Sequence, residues 1–376
     1  MISVCYTGPF GDASGYGEAT RNFIRALHEA GANIKTEKVE FTTVTYEGKN
    51  KQIAEDLSDR EVDYKVKIIH TTPDVYAQYM EKDTYNIGHL FWETDKLPSG
   101  WEVHCNKMDE IWTGTDLNKK AIVSSGVTVP VTVIPQAIET IPLEAQPFIV
   151  PGIEESDLVF YSIFDWNDRK DPRTLLRAFW KQFKGHDDVK LIIKTHVASH
   201  DREGQKKILA DIAAWKAEFP WKDKPKVAIC TKVLTDEEKH RFHETGNVFV
   251  SSHRGEGWGL PQVEALVHKN AVVSTSLGGV HEYLNTKQYY PIKFELIDIK
   301  KVYNKYYEPG MKWGQASEEH LQEQMSKIYE YHTTPSKKFV LAAKAGSGRN
   351  LITSIFNYKS IGIKMINRIE EIEDGK

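Results

Sequence analysis

The sequence predicts two α/β domains, each a parallel sheet covered by helices, joined near residue 150. Its 376 residues exceed one ordinary domain and suit two of about 150–200. Short apolar runs alternate with helical patterns along the chain, as expected where parallel strands are linked by helical crossovers. Between two such series, Gln146 to Gly152 reads QPFIVPG, and its two prolines and glycine mark a linker.

In the first series the strand candidates are 2–7, 66–70, 85–91, 110–113 and 129–134. In the second they are 158–164, 189–194, 226–231, 247–251 and 271–275. The domains then run 1–150 and 151–351. Near the C-terminus Ile355, Ile361, Ile363, Ile366 and Ile369 mark an amphipathic segment, expected as a helix over 352–376.

Apolar content of 40% and charged content of 27% are those of a soluble globular protein. A formal charge of −4 excludes a chain-wide footprint for polyanions. Cys5, Cys105 and Cys230 have no metal-ligand spacing and are expected to be reduced. No apolar run is long enough to span a membrane, and the N-terminus lacks a secretory signal, so the expected location is cytoplasmic.

The densest chemistry lies in Ser251 to Leu284, SSHRGEGWGLPQVEALVHKNAVVSTSLGGVHEYL. It reads as strand end, glycine loop, helix, strand, and a second glycine pair. Pro261 suits the first turn of a helix, and Gly257 and Gly259 allow close backbone approach to a ligand. Glu256 lies in the loop and Glu264 about one turn into the helix. Free N–H groups at a helix N-terminus hold phosphates, whereas carboxylates accept from hydroxyls. A nucleotide sugar meets both demands.

Three other segments carry candidate chemistry. Gly8 to Glu18 (GPFGDASGYGE) forms a glycine-rich loop after the first strand but lacks the dinucleotide and P-loop orders. Asn86 to Trp101 (NIGHLFWETDKLPSGW) places His89, Trp92 and Glu93 at a strand's carboxyl end, where ligands of open α/β sheets collect. Ser162 to Pro172 (SIFDWNDRKDP) sets Arg169 and Lys170 before an amphipathic helix. No Asp-x-Asp occurs, so no carboxylate-held divalent metal is expected.

Glu256, seven residues, Glu264, with GWGLPQV between and Gly278-Gly279-Val280-His281-Glu282 beyond, resembles the retaining GT-B glycosyltransferases of group 1, or GT4-like, family. The resemblance implies two Rossmann-like domains facing each other across a cleft, with the last helix returned to the first domain. It implies transfer of a sugar from a nucleoside-diphosphate sugar, UDP- or GDP-linked, by metal-independent front-face displacement and without a further cofactor. Glu256 then meets a donor-sugar hydroxyl and Glu264 the ribose, while Lys170 meets the diphosphate. Gly257, Trp258, Gly259 and Leu260 supply backbone contacts, with Gly278 and Gly279 near phosphate or sugar. Gly17, with Gly15 beside it, sits against the diphosphate. His89 is a catalytic-site candidate, and Tyr16, Trp92 and Glu93 are acceptor or cleft residues.

The sequence departs from the family where Ser162-Ile163 replaces Gly-Arg, so the second diphosphate cation is open between Lys194 and Arg169. The acceptor is equally open: a glycan, a lipid-linked sugar, a protein or a modified nucleic-acid base. Alternatives on the same fold are a sugar-nucleotide epimerase, a phosphorylase, or a non-catalytic protein binding carbohydrate or nucleic acid.

Overall fold

A computed structural model describes residues 2–141, 145–197 and 200–375; the ends of the expected ranges, Met1 and Lys376, lie outside them. The chain divides into two units. The first comprises Met1–Thr140, Ile299–Lys312 and Thr353–Lys376, the second Ile141–Asp298 and Trp313–Ile352.

The first unit opens with β1 (Ser3–Gly8), α1 (Gly15–Glu29), β2 (Asn33–Lys38) and α2 (Lys49–Asp56). It continues through β3 (Val66–Ile69), β4 (Tyr85–His89), α3 (Trp101–Cys105), β5 (Glu110–Thr113), α4 (Asp116–Ser124) and β6 (Val131–Val133). The strands form one parallel sheet in the order β2-β1-β3-β4-β5-β6. The central strand β3 (VKII) is buried throughout, and its one charge, Lys67, is paired with Glu37 and Glu81. At the edge, β2 (NIKTEK) has Ile34 as its only apolar residue and buries Ile34 and Thr36.

The second unit holds β7 (Leu158–Asp165), α5 (Pro172–Gln182), β8 (Val189–His196), α6 (Arg202–Ala217) and β9 (Lys226–Cys230). Then come α7 (Asp236–Thr245), β10 (Val248–Ser251), α8 (Leu260–Val267), β11 (Ala271–Thr275) and β12 (Tyr290–Ile292). Their order is β12-β11-β10-β7-β8-β9, again parallel. Phe160, Leu175, Leu176, Phe179, Phe183 and Ile193 are fully or almost fully buried in the core between sheet and helices. From β7 the chain winds first to β8 and β9, then crosses to β10 on the other side. The carboxyl ends of β7 and β10 therefore flank the switch point, where open α/β sheets bind ligands.

Strands β13 (Phe294–Asp298) and β14 (Lys312–Ala316) form a small sheet of their own. Between them Ile299–Lys312 clusters with the first unit, where Tyr307 stacks on Trp92 and Tyr306 meets Trp101 edge-on. Helices α9 (Glu318–Thr333), α10 (Lys338–Ile355) and α11 (Tyr358–Glu373) end the chain. The last packs on α1: Tyr358 Oη donates to Asn22 Oδ1 at 3.0 Å, and a Cβ on Gly362 would run into the Ala26 carbonyl. Arg368 pairs with the fully buried Glu110 of β5 at 2.8 Å. No helix among the described residues is long and apolar enough to cross a membrane.

Candidate functional site

At the switch point of the second unit, the β7–α5 loop brings Arg169 and Lys170 to the β10–α8 loop, which carries Glu256. Glu256 is buried, and its Oε1 accepts from Lys170 Nζ while Oε2 lies 3.4 Å from Arg169 Nη1. Arg169 Nη1 also donates to the Gly255 carbonyl at 2.8 Å. Burial alone would push this carboxyl up, but the Lys170 and Arg169 charges hold it down to about 2. Two cations and an anion thus sit nearly dry at the carboxyl ends of two strands. Such a group can exchange its internal pairing for a ligand's phosphate and hydroxyls.

Lys194 stands at the end of β8, its Cα paired in register with Ile163 of β7. Its Nζ lies 3.1 Å from His196 Nδ1. An ammonium has only donors, so Nδ1 accepts and the proton sits on Nε2, 3.0 Å from Asp165 Oδ1. Lys194 is thereby oriented by a histidine–aspartate pair. The neighbouring strand places this cation beside the position where arginine is missing.

Around the α8 N-terminus, Gly259 caps the helix at φ 92°, in the left-handed region, with Leu260 and Pro261 following. Gly257 and Trp258 are buried in the loop. Val280 N donates to the Trp258 carbonyl at 2.7 Å, and a Cβ on Gly279, itself at φ 59°, would run into that carbonyl. Gly278, at φ 72°, precedes it. Gly279 is thus required by the Trp258 backbone, and Gly278 by its own left-handed conformation. Glu264, on α8, is held by Lys239 Nζ at 2.6 Å and lies 3.5 Å from His243 Nε2. Burial opposes ionisation there, yet the Lys239 charge and His243 keep Glu264 well below the usual carboxylate range.

The remaining candidates belong to the first unit. Gly15 and Tyr16 open α1, and a Cβ on Gly15 would meet nothing. A Cβ on Gly17 would strike the Asp12 carbonyl, so this glycine closes its own loop. Tyr16 Oη donates to the Phe91 carbonyl at 3.4 Å. His89 does not reach the surface: it is fully buried, 3.1 Å from Tyr6 Oη and stacked on His70 with ring centroids 4.5 Å apart. Burial and the neighbouring His70 push its imidazole well below the ordinary histidine range, so it is neutral. Trp92 is buried and donates to the Lys96 carbonyl at 2.6 Å, while Glu93 Oε2 accepts from Tyr307 Oη at 3.1 Å.

Four residues near Glu256 were not anticipated. Arg254 and Gln315 bind the β7–α5 loop through Asp168 and Asp171. His253 and His281 are buried and stacked at 5.7 Å. His253, Arg254 and His281 had only adjacency to the glycine loops as a sequence signal, and Gln315 of β14 had none.

The two parallel-sheet units match solved GT-B structures. Sucrose-phosphate synthase from Thermosynechococcus elongatus is 12% identical at TM-score 0.68, covering 100% of both chains. HepE of Anabaena, in complex with UDP and glucose, is 11% identical at TM-score 0.67 and covers 99% of this chain and 100% of that one. TarM of S. aureus, as a variant in complex with fondaparinux, alpha-GlcNAc-glycerol and UDP, is 14% identical at TM-score 0.58. That match covers 80% of this chain and 54% of TarM, so the chain spans about half of TarM's length. At these identities the likeness shows the fold, GT-B. Residues 155–295, within the second unit, match the model of the glycosyl transferases group 1 family, the family the sequence resembles. No curated protein sequence matches the chain.

Proposed function

We propose that the chain transfers a sugar from a nucleoside-diphosphate sugar to an acceptor hydroxyl with retention of configuration. The observation that carries this reading is the Lys170–Glu256–Arg169 cluster at the switch point, inside the segment that matches the family model. UDP is the nucleotide of choice because it is bound in the TarM and HepE structures. Lys170, Arg169 and Lys194 neutralise the diphosphate, so the reaction needs no metal. Glu256, released from Lys170, takes a sugar hydroxyl, and Glu264 takes the ribose hydroxyls. The sugar's C1–O bond to phosphate breaks, the acceptor's oxygen bonds C1 on the same face, and the departing phosphate oxygen receives the acceptor's proton. Preorganised charge supplies the acceleration. We place the enzyme in the cytoplasm, where its cysteines, all free, stay reduced. The acceptor is a glycan, a lipid-linked sugar, a protein or a modified base.

The reading is tested by UDP release from UDP-glucose and UDP-N-acetylglucosamine, with and without EDTA, in wild type and Glu256→Ala. EDTA-resistant turnover that falls about 100-fold in the variant supports it. Full turnover by Glu256→Ala removes Glu256 from the chemistry, and phosphate-dependent turnover makes the protein a phosphorylase.

A further inference from the structure

We propose that Arg254 is a positioning residue that locks the Arg169–Lys170 loop onto the loop carrying Glu256. This rests on the donor-site reading above and names what holds that site in register.

Arg254 touches both sides of the Arg169–Lys170 pair. Its Nη1 donates to the Asp168 carbonyl at 3.0 Å, and its Nη2 lies 3.4 Å from Asp171 Oδ1. Its backbone N donates to the Arg169 carbonyl at 2.7 Å. The planar fork reaches the Asp168 carbonyl and Asp171 Oδ1 from a single origin, which a lysine's point charge cannot. The guanidinium is itself fixed from behind. Nε donates to Gln315 Oε1 at 3.1 Å, Trp313 underlies it at 5.1 Å, and Gly314 N donates to the Arg254 carbonyl at 2.6 Å.

Asp171 shows why the lock is needed. It follows Lys170 at φ 48°, in the left-handed region that a non-glycine residue adopts at a cost. It caps α5 through Thr174 N, and its carbonyl accepts from Ser252 Oγ at 2.9 Å. Its Oδ2 accepts from Gln315 Nε2 at 2.8 Å. Arg254, Gln315 and Ser252 together hold this backbone kink, and the kink directs Lys170 back to Glu256. Arg254 forms no ion pair with Glu256; it acts through the loop.

The test is a double-mutant cycle in the full chain, with UDP as the calorimetric probe. Arg254→Gln should weaken UDP binding about tenfold, and Lys170→Ala by at least as much. The double variant should bind less weakly than the two single losses multiplied together, because Arg254 acts through the loop that carries Lys170 and Arg169. Arg254→Lys should not restore binding, since the fork rather than the charge is required. Unchanged UDP affinity in Arg254→Gln, or losses that multiply in the double variant, overturns the proposal. Should Arg254→Gln fail to fold, Gln315→Ala interrupts the same network from outside the loop and carries the same expectation. The cycle is repeated on urea unfolding with Glu256→Gln, which needs no ligand. Coupling there upholds the lock even if wild type binds no UDP, an outcome that would sink only the donor reading; additivity there overturns the lock.

Discussion

Lys170 Nζ donates to Glu256 Oε1 across 86 positions of sequence, and Arg169 braces the other carboxylate oxygen at 3.4 Å. The three side chains form a buried ion cluster closed on itself. A diphosphate that takes over Lys170 must release Glu256, and a sugar hydroxyl is the partner available to the freed carboxylate.

Glu256→Gln should therefore lower stability yet raise the stabilisation that UDP confers. Removing one partner of a buried ion pair costs about 3–5 kcal/mol, and here it leaves two cations without their anion. Bound phosphate restores an anion. Melting curves with and without saturating UDP should show a lower midpoint for the variant and a larger shift on ligation. An equal shift in both proteins would mean the phosphates do not meet Lys170.

Acid sensitivity follows from the same pair. Glu256 titrates at about 2 when folded against an ordinary 4.5, so its stabilisation is present above 4.5 and is lost as pH falls from 4.5 toward 2. The shift corresponds to roughly 3 kcal/mol. Urea unfolding at pH 6 and pH 3 should show a smaller loss in Glu256→Gln than in wild type. Identical losses would remove the carboxylate from the acid transition.

His253 and His281 act over a higher window. Burial pushes them down to about 3 and about 4, against an ordinary 6.5. Stability tied to the neutral rings is present above 6.5 and declines as pH falls toward those values. Neither His253 nitrogen has a hydrogen-bond partner among the described residues. His253→Leu should therefore be more stable than wild type by about 1 kcal/mol at pH 7 and by more at pH 5. A variant less stable at pH 5 than wild type would show that the imidazole makes a necessary contact.

The glycines separate packing from binding. Gly279→Ala and Gly17→Ala each drive a methyl group into a carbonyl, and Gly279 also has positive φ; both should lose about 1–3 kcal/mol. Gly15→Ala meets open space and should change stability by about 0.5 kcal/mol or less. If Gly15 lies against a ligand phosphate, that variant alone should lose UDP affinity while melting as wild type does.

Much of the fold was legible because buried parallel strands announce themselves. Leu191, Ile192 and Ile193 of β8 and Val272 and Val273 of β11 sit in unbroken apolar runs. Two edge strands, β6 and β9, were read within 129–134 and 226–231; the other two were not, because β2 has Ile34 as its one apolar residue and β12 is three residues with a proline at its centre. Nothing in Ile299–Lys312 marked it for the first unit, since its anchors, Trp92 and Trp101, lie about 200 positions away. Lys170 and Glu256 were singled out by their motifs, and the structure pairs them. Arg254 was not, because its role depends on Gln315 and Trp313 of β14, which carry no motif. Lys194 was legible as a strand-end cation, but its orientation by His196 and Asp165 needed the β7–β8 register.

The most direct test of the central claim is a calorimetric titration of UDP into wild type and Lys170→Ala. Lys170 placed on the diphosphate predicts tight binding to wild type and at least about tenfold weaker binding to the variant, the size of one charge-assisted contact. Equal affinities would place the nucleotide elsewhere and contradict the assignment of the Lys170–Glu256 cluster.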